Sequence, residues 1–161
     1  MQLYLLLQLD AGMRSGTAVR ITATDWKPEA KQLTFTTKGN RKMSVPATER
    51  LAKLLSTAAA IAAPGQPLVA ALASPSENKA TWQHRWARLK RKATIREELR
   101  PHDLRRTAAT RLYNHTKDLR LVQQLLGHRS LSNTIRYLAP HDPGALKALL
   151  EQVKPQLRRT P

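Results

Sequence analysis

The chain contains no cysteine, which excludes disulfides, thiolate catalysis and cysteine-ligated zinc together. Acidic residues are also scarce, with 11 Asp and Glu against 28 Lys and Arg. Asp10, Asp25, Asp103 and Asp118 lie too far apart in sequence to suggest a two-metal nuclease. The histidines (His84, His102, His115, His128 and His141) show no i, i+4 pairing and have few carboxylates nearby, so no metal site is expected. A Gly-x-Ser-x-Gly elbow is missing as well, which removes support for Ser/His/Asp hydrolysis. No apolar run reaches the length of about 18 residues that would suggest a membrane span. The apolar opening is interrupted by Gln2, Gln8 and Asp10 and lacks a basic n-region, so it reads as a packing helix and not as a signal peptide.

What the chain does have is positive charge. Its formal net charge is +17, and self-repulsion on that scale implies a polyanionic partner. Nucleic acid comes first and an anionic membrane surface second. The 161 residues suit one domain, and a composition of 41% hydrophobic and 24% charged residues is that of a globular protein.

Hydrophobic spacing predicts a helix over residues 1–11 that stops at Gly12, a turn at 13–16 and another short helix over Thr17–Thr24. Gln32–Thr37 and Lys42–Val45, joined by Lys38-Gly39-Asn40-Arg41, predict a β-hairpin. Thr48 is positioned to cap a helix over Glu49–Ala62. A short apolar patch after Pro67 could form an edge strand before the loop through Ser74-Pro75-Ser76. Residues 79–93 predict a basic helix that Trp82 and Trp86 anchor to the core. Its Arg85, Arg88, Lys90, Arg91 and Lys92 would then face outward towards phosphates. Short helices follow at roughly 102–114, 118–126, 131–138 and 143–152, and the chain ends in a basic tail. The fold class is α+β and mainly α-helical, with a small antiparallel hairpin sheet on one side.

Within this helical part, His102 and Arg105 stand three apart and project from one helix face within reach of a single phosphate. Arg105 can give two parallel hydrogen bonds, which lysine cannot match, and His102 can donate or manage a proton. His128 follows the helix break at Gly127, and Tyr137 lies nine residues later. On one unbroken helix those two residues would fall on opposite faces; the break removes that conflict. Taken singly, each has a bland alternative: a surface arginine, a helix-end histidine, a core tyrosine beside Ile135 and Leu138.

The order of these residues resembles the tyrosine recombinase (phage integrase) family. His102-Asp103-Leu104-Arg105-Arg106-Thr107-Ala108-Ala109-Thr110 matches the pattern H-x-L-R-x-T-x-A-T. Leu125-Leu126-Gly127-His128-Arg129-Ser130 matches L-L-G-H-x-S, and Thr134-Ile135-Arg136-Tyr137 matches T-x-x-Y. Upstream, Gly12-Met13-Arg14 resembles the segment carrying the family's first catalytic arginine, and Lys38 falls at the hairpin turn where the family keeps a lysine. Thr17 stands where the family usually has an acidic residue.

The resemblance implies a catalytic set of Arg14, Lys38, His102, Arg105, His128 and the nucleophile Tyr137. Strand cleavage would pass through a 3′-phosphotyrosine and need no metal or organic cofactor. It implies double-stranded DNA as partner, self-association to a tetramer on DNA from a free monomer, and neither a membrane nor a small-molecule substrate. Arg41, Arg106 and Arg129 join the basic helix as expected DNA contacts. The chain is expected to be a single catalytic domain over 1–161, shortened at its N-terminus and without the family's core-binding domain, working in a bacterial or phage-derived cytoplasmic setting. A DNA-binding remnant unable to cut is the alternative. A type IB topoisomerase fits the short chain and the Leu-Gly-His motif less well.

Overall fold

Leu3, Leu6 and Leu7 recur at helical spacing and are buried on one face of helix α1 (Gln2–Leu9). The computed structural model describes residues 1–37, 40–73, 82–95, 98–135 and 138. Gly12, at φ +60°, turns the chain out of α1. Buried Gln8 accepts a hydrogen bond of 3.0 Å from Ser15 Oγ and so ties α1 to the one-turn helix α2 (Ser15–Ala18). The helix expected over Thr17–Thr24 is therefore corrected. It starts two residues earlier and lasts one turn, because the Arg14 carbonyl receives the Ala18 N–H. A separate 3-10 turn (Ala23–Asp25) follows, held by Asp25 Oδ2 accepting from the Thr22 backbone at 2.9 Å.

The hairpin forms as the alternation predicts. Strands β2 (Gln32–Thr37) and β3 (Arg41–Pro46) pair antiparallel from Gln32 opposite Pro46 to Thr37 opposite Arg41. A two-residue strand β1 (Trp26–Lys27) extends the sheet on the other side of β2, and this strand was not expected. Leu33, Phe35 and Val45 cover the inner face. Trp26 Nε1 donates to Ser56 Oγ at 3.1 Å and pins the sheet to helix α3 (Glu49–Ile61). Thr48 caps α3 as expected, accepting from Leu51 N. Leu51, Ala52, Leu55 and Ala58 complete the main core.

The apolar patch after Pro67 is a helical turn, α4 (Leu68–Ala71), and not an edge strand. Its Leu68 N–H is spent on the Ile21 carbonyl at 2.7 Å, and Leu68 and Val69 sink into the core. Helix α5 (Trp82–Lys92) carries a buried Trp86 whose Nε1 donates to Leu99 O. The side chain of Trp82 lies outside the described residues, as do Ser74–Ser76 and the helix expected over 143–152.

Helix α6 (Pro101–Thr116) begins with proline at its first position and packs against α1. Helix α7 (Leu119–Leu126) is capped by Asp118 and buries Val122 and Leu126 against Ala109 of α6. At its C-terminus the His128 N–H reaches Gln123 O and the Gly127 N–H reaches Gln124 O, both at 3.1 Å. That paired arrangement around a left-handed residue is a Schellman motif. A five-residue helix, α8 (Leu131–Ile135), follows.

Gly127 is required twice over. Its φ is +62°, and a Cβ there would meet Met43 Sδ of β3 at 2.2 Å. Gly127→Ala is expected to lower unfolding stability by about 1–2 kcal/mol from backbone strain alone. Gly16→Ala, in α2 with ordinary φ and open space around it, should instead stabilise by a few tenths of a kcal/mol. Urea unfolding of both variants checks the opposite signs.

Candidate active site

Arg105 lies in the second turn of α6 and is only 3% exposed. A guanidinium buried without partners would be strongly destabilising, and here it is met by two backbone turns. Its Nη1 donates to the Gly12 carbonyl after α1, and its Nη2 donates to the Leu126 carbonyl at the end of α7 at 2.7 Å. Nη2 also lies 3.2 Å from His128 Nε2. Since arginine can only donate, Nε2 accepts from it and the imidazole is neutral in this state.

His128 is buried, and its Nδ1 lies 3.1 Å from Thr134 Oγ1. The ring's turn is secured from α7 as well, because Gln123 Nε2 donates to the His128 carbonyl at 3.1 Å. Burial, and then the positive charges of Arg105, Arg14 and His102, push the His128 pKa down to about 4. His102 is exposed at the start of α6, and its pKa is lowered first by burial of part of its ring and then by Arg105 and Arg14. Arg14 caps the N-terminus of α2 and lines a crevice with Gly12, Thr37, Met43 and Arg105. Thr17 lines the same crevice. The two ion pairs among the described residues, Lys31–Glu49 and Arg50–Asp10, do not involve Arg14.

Four of the six expected catalytic residues, Arg14, His102, Arg105 and His128, thus share one electrostatic neighbourhood. Lys38 and Tyr137 lie outside the described residues. The strands leading to Lys38 are in place, with Thr37 paired to Arg41 and facing the crevice of Arg14 and Arg105.

Among the expected DNA contacts, Arg41, Arg88, Arg91, Lys92, Arg106 and Arg129 are exposed, and Lys90 is half-buried. Arg85 is corrected, because it is 6% exposed and lies beside buried Trp86 on the inward face of α5. Adjacent residues on a helix diverge by about 100°, so a face wide enough for Trp86 and Leu89 also takes in Arg85. Arg120 was missed. It joins Arg41, Arg129 and His128 around an open pocket of about 430 Å³ whose wall includes Gln123 and Gln124. Its signal was the spacing of Arg120, Gln123 and Gln124 along one face of α7.

The depressed His128 pKa has a consequence for folding. Free histidine titrates near 6.5, so between about 6.5 and about 4 the unfolded chain binds a proton that folded His128 refuses. Stability should therefore fall as pH drops through that window and stop falling from this cause below it. His128→Gln should flatten the slope, leaving the part of the same sign that His102 contributes. Urea midpoints from pH 7 to pH 4 test this; equal slopes in the two proteins would refute it.

Comparison with known proteins places the chain in a family and a fold. The sequence profile of the phage integrase family matches residues 1–143. Tyrosine recombinase XerC of Vibrio parahaemolyticus is 32% identical over 137 residues, covering 81% of this chain and 44% of that protein. Tyrosine recombinase XerD of Xanthomonas axonopodis pv. citri is 33% identical over 145 residues, covering 81% and 48%. The chain spans about half the length of the curated relatives it matches. The XerH site-specific recombinase, solved on its palindromic difH substrate in a post-cleavage complex, superposes with a TM-score of 0.73 at 24% identity over 94% of this chain and 44% of that one. The catalytic domain of bacteriophage HP1 integrase gives 0.63 at 19% identity over 94% and 80%. At those identities the two structures establish the fold, a mainly helical α+β domain with a small antiparallel sheet. No helix among the described residues is long and apolar enough to cross a membrane. With the family profile matching 1–143 of 161 residues, the chain belongs to the phage integrase family.

Proposed function

We propose that this chain is the catalytic unit, over residues 1–161, of a site-specific recombinase that cuts and rejoins double-stranded DNA through Tyr137, without a metal or organic cofactor. The observation that carries the reading is the buried Arg105–His128 pair, held between two turns with Arg14 and His102 beside it. Donors fixed in advance and aimed at one point suit the charge that builds on the non-bridging oxygens of a phosphodiester under attack.

In this reading the Tyr137 oxygen forms a bond to phosphorus and the P–O5′ bond breaks, giving a 3′-phosphotyrosine and a free 5′-hydroxyl. Lys38 supplies the proton to the leaving 5′-oxygen, and His102 manages the proton near the nucleophile. A non-bridging oxygen displaces His128 Nε2 from Arg105. Its negative charge favours a proton on Nε2, which turns His128 from acceptor into donor. Religation to another strand reverses these steps and conserves the bond energy, so no nucleotide triphosphate is consumed.

Arg41, Arg120 and Arg129 hold backbone phosphates beside the reacting one. Arg88, Lys90, Arg91, Lys92 and Arg106 add further contacts to the duplex. Four protomers assemble on two duplexes from free monomers, in a bacterial or phage-derived cytoplasm, the relatives being bacterial recombinases.

A nicked suicide duplex tests the reaction. Wild type is expected to give a denaturation-resistant protein–DNA band, and Tyr137→Phe to bind the duplex without it. Binding by both proteins with no band from either would leave a DNA-binding remnant in place of an enzyme. With ~6 phosphate contacts, log K should fall with a slope near −5 per decade of salt. Arg120→Gln is expected to reduce that slope by about 1.

A further inference from the structure

Helix α8 has an odd distribution of burial. Leu131, Ser132, Asn133 and Ile135 are all exposed, and the one fully buried side chain is polar Thr134, at 0%. Hydrophobic packing does not explain a helix that hides its threonine and shows its leucine and isoleucine. The partner of the threonine does: Oγ1 lies 3.1 Å from His128 Nδ1.

Hydrogen-bond chemistry leaves one assignment. The Arg105 guanidinium has no acceptor, and its Nη2 faces His128 Nε2 at 3.2 Å. Nε2 must therefore present its lone pair, so the ring proton is on Nδ1 and points at Thr134. A hydroxyl can accept there. A methyl group could not, and a buried Nδ1–H without an acceptor would cost the ring its orientation.

We propose that Thr134 is a positioning residue that accepts the Nδ1–H of His128, fixes that tautomer and ring orientation, and so keeps Nε2 aimed at Arg105 and at the phosphate that comes to lie between them. The catalytic consequence rests on the recombinase reading; the tautomer does not. A neutral hydroxyl is suited to this role because it can accept from Nδ1–H whether Nε2 is bare or protonated. A carboxylate in its place would favour the charged form of the ring, which Arg105 opposes.

The test uses the full chain with 15N-labelled histidine, as wild type, Thr134→Val and Thr134→Ser. NMR of the DNA-free proteins near neutral pH reads which His128 nitrogen carries the proton. Wild type and Thr134→Ser are expected to show Nδ1–H with a bare Nε2, and Thr134→Val to lose that preference. On the suicide duplex Thr134→Val should form the covalent band roughly 10–100-fold more slowly, with Thr134→Ser close to wild type. A wild-type ring protonated on Nε2 overturns the proposal. So does an unchanged tautomer in Thr134→Val, or a Thr134→Ser variant as impaired as the valine. Nδ1–H in a wild type that forms no band at all would overturn the recombinase reading and leave the role of Thr134 intact.

Discussion

Of the two arginines buried among the described residues, one ties distant parts of the chain together. Arg105 is tied to the Gly12 carbonyl, 93 residues away in sequence, and to the Leu126 carbonyl, 21 residues away. Among the described residues its acceptors include these two carbonyls and a neutral imidazole. That choice matters, because a buried carboxylate would satisfy the same hydrogens while cancelling the charge. Carbonyl oxygens accept from Nη1 and Nη2 without cancelling the positive charge. The Leu126 carbonyl belongs to a helix end, where backbone acceptors are without partners inside the helix, and the Gly12 carbonyl belongs to the turn between α1 and α2. The same bonds that make the arginine tolerable in the interior therefore also close the end of α7 and fix the turn after α1.

The arrangement has an electrostatic cost that is visible in the neighbouring groups. Burial first, and then the positive charges of Arg105 and Arg14, lower both histidine pKa values. Such a site is stable as folded only if other contacts hold it together. The core of α1, α3 and the sheet supplies most of that support. An ion pair supplies part of it at the C-terminal end of α1. There Asp10 accepts from Arg50 Nε at 2.7 Å and from Thr48 Oγ1 at 2.6 Å. Burial alone would raise the Asp10 carboxyl, but these hydrogen bonds and the charges of Arg50 and Arg111 outweigh it and leave it below the usual carboxylate range. Asp10 thus pairs with Arg50 as an anchor after α1 and does not neutralise the site.

Much of this could be read in the sequence, and what could not has identifiable causes. The hairpin and the cap of α3 follow from local rules, alternation in one case and a threonine hydroxyl in the other, and both formed where expected. The order of His102, Arg105, Gly127 and His128 carried the site because two of those residues sit on one helix and the other two on its neighbour's end. Segments decided by distant partners were misread. The turn at Leu68 formed because its N–H meets Ile21, and α2 was shortened by the exit of the chain after Ala18. Arg85 looked like one more outward cation, yet it shares the buried side of its helix with Trp86. Charge type sets a preference for the surface; the register of a short amphipathic face can override it.

Thr134 shows the limit of pattern reading most sharply. In sequence it is a threonine six residues from His128, a spacing that corresponds to no fixed geometry. Only the Schellman turn at Gly127 and the reversal into α8 bring its hydroxyl to Nδ1. Gly127 in turn owes its position to two demands, a left-handed backbone and the approach of Met43 from the hairpin. A turn in one element, a sulfur from another and a hydroxyl from a third therefore determine which lone pair His128 shows to Arg105. The chemistry of the site depends on that direction as much as on the presence of the imidazole, since a histidine facing the wrong way would offer Arg105 a hydrogen where it needs an acceptor.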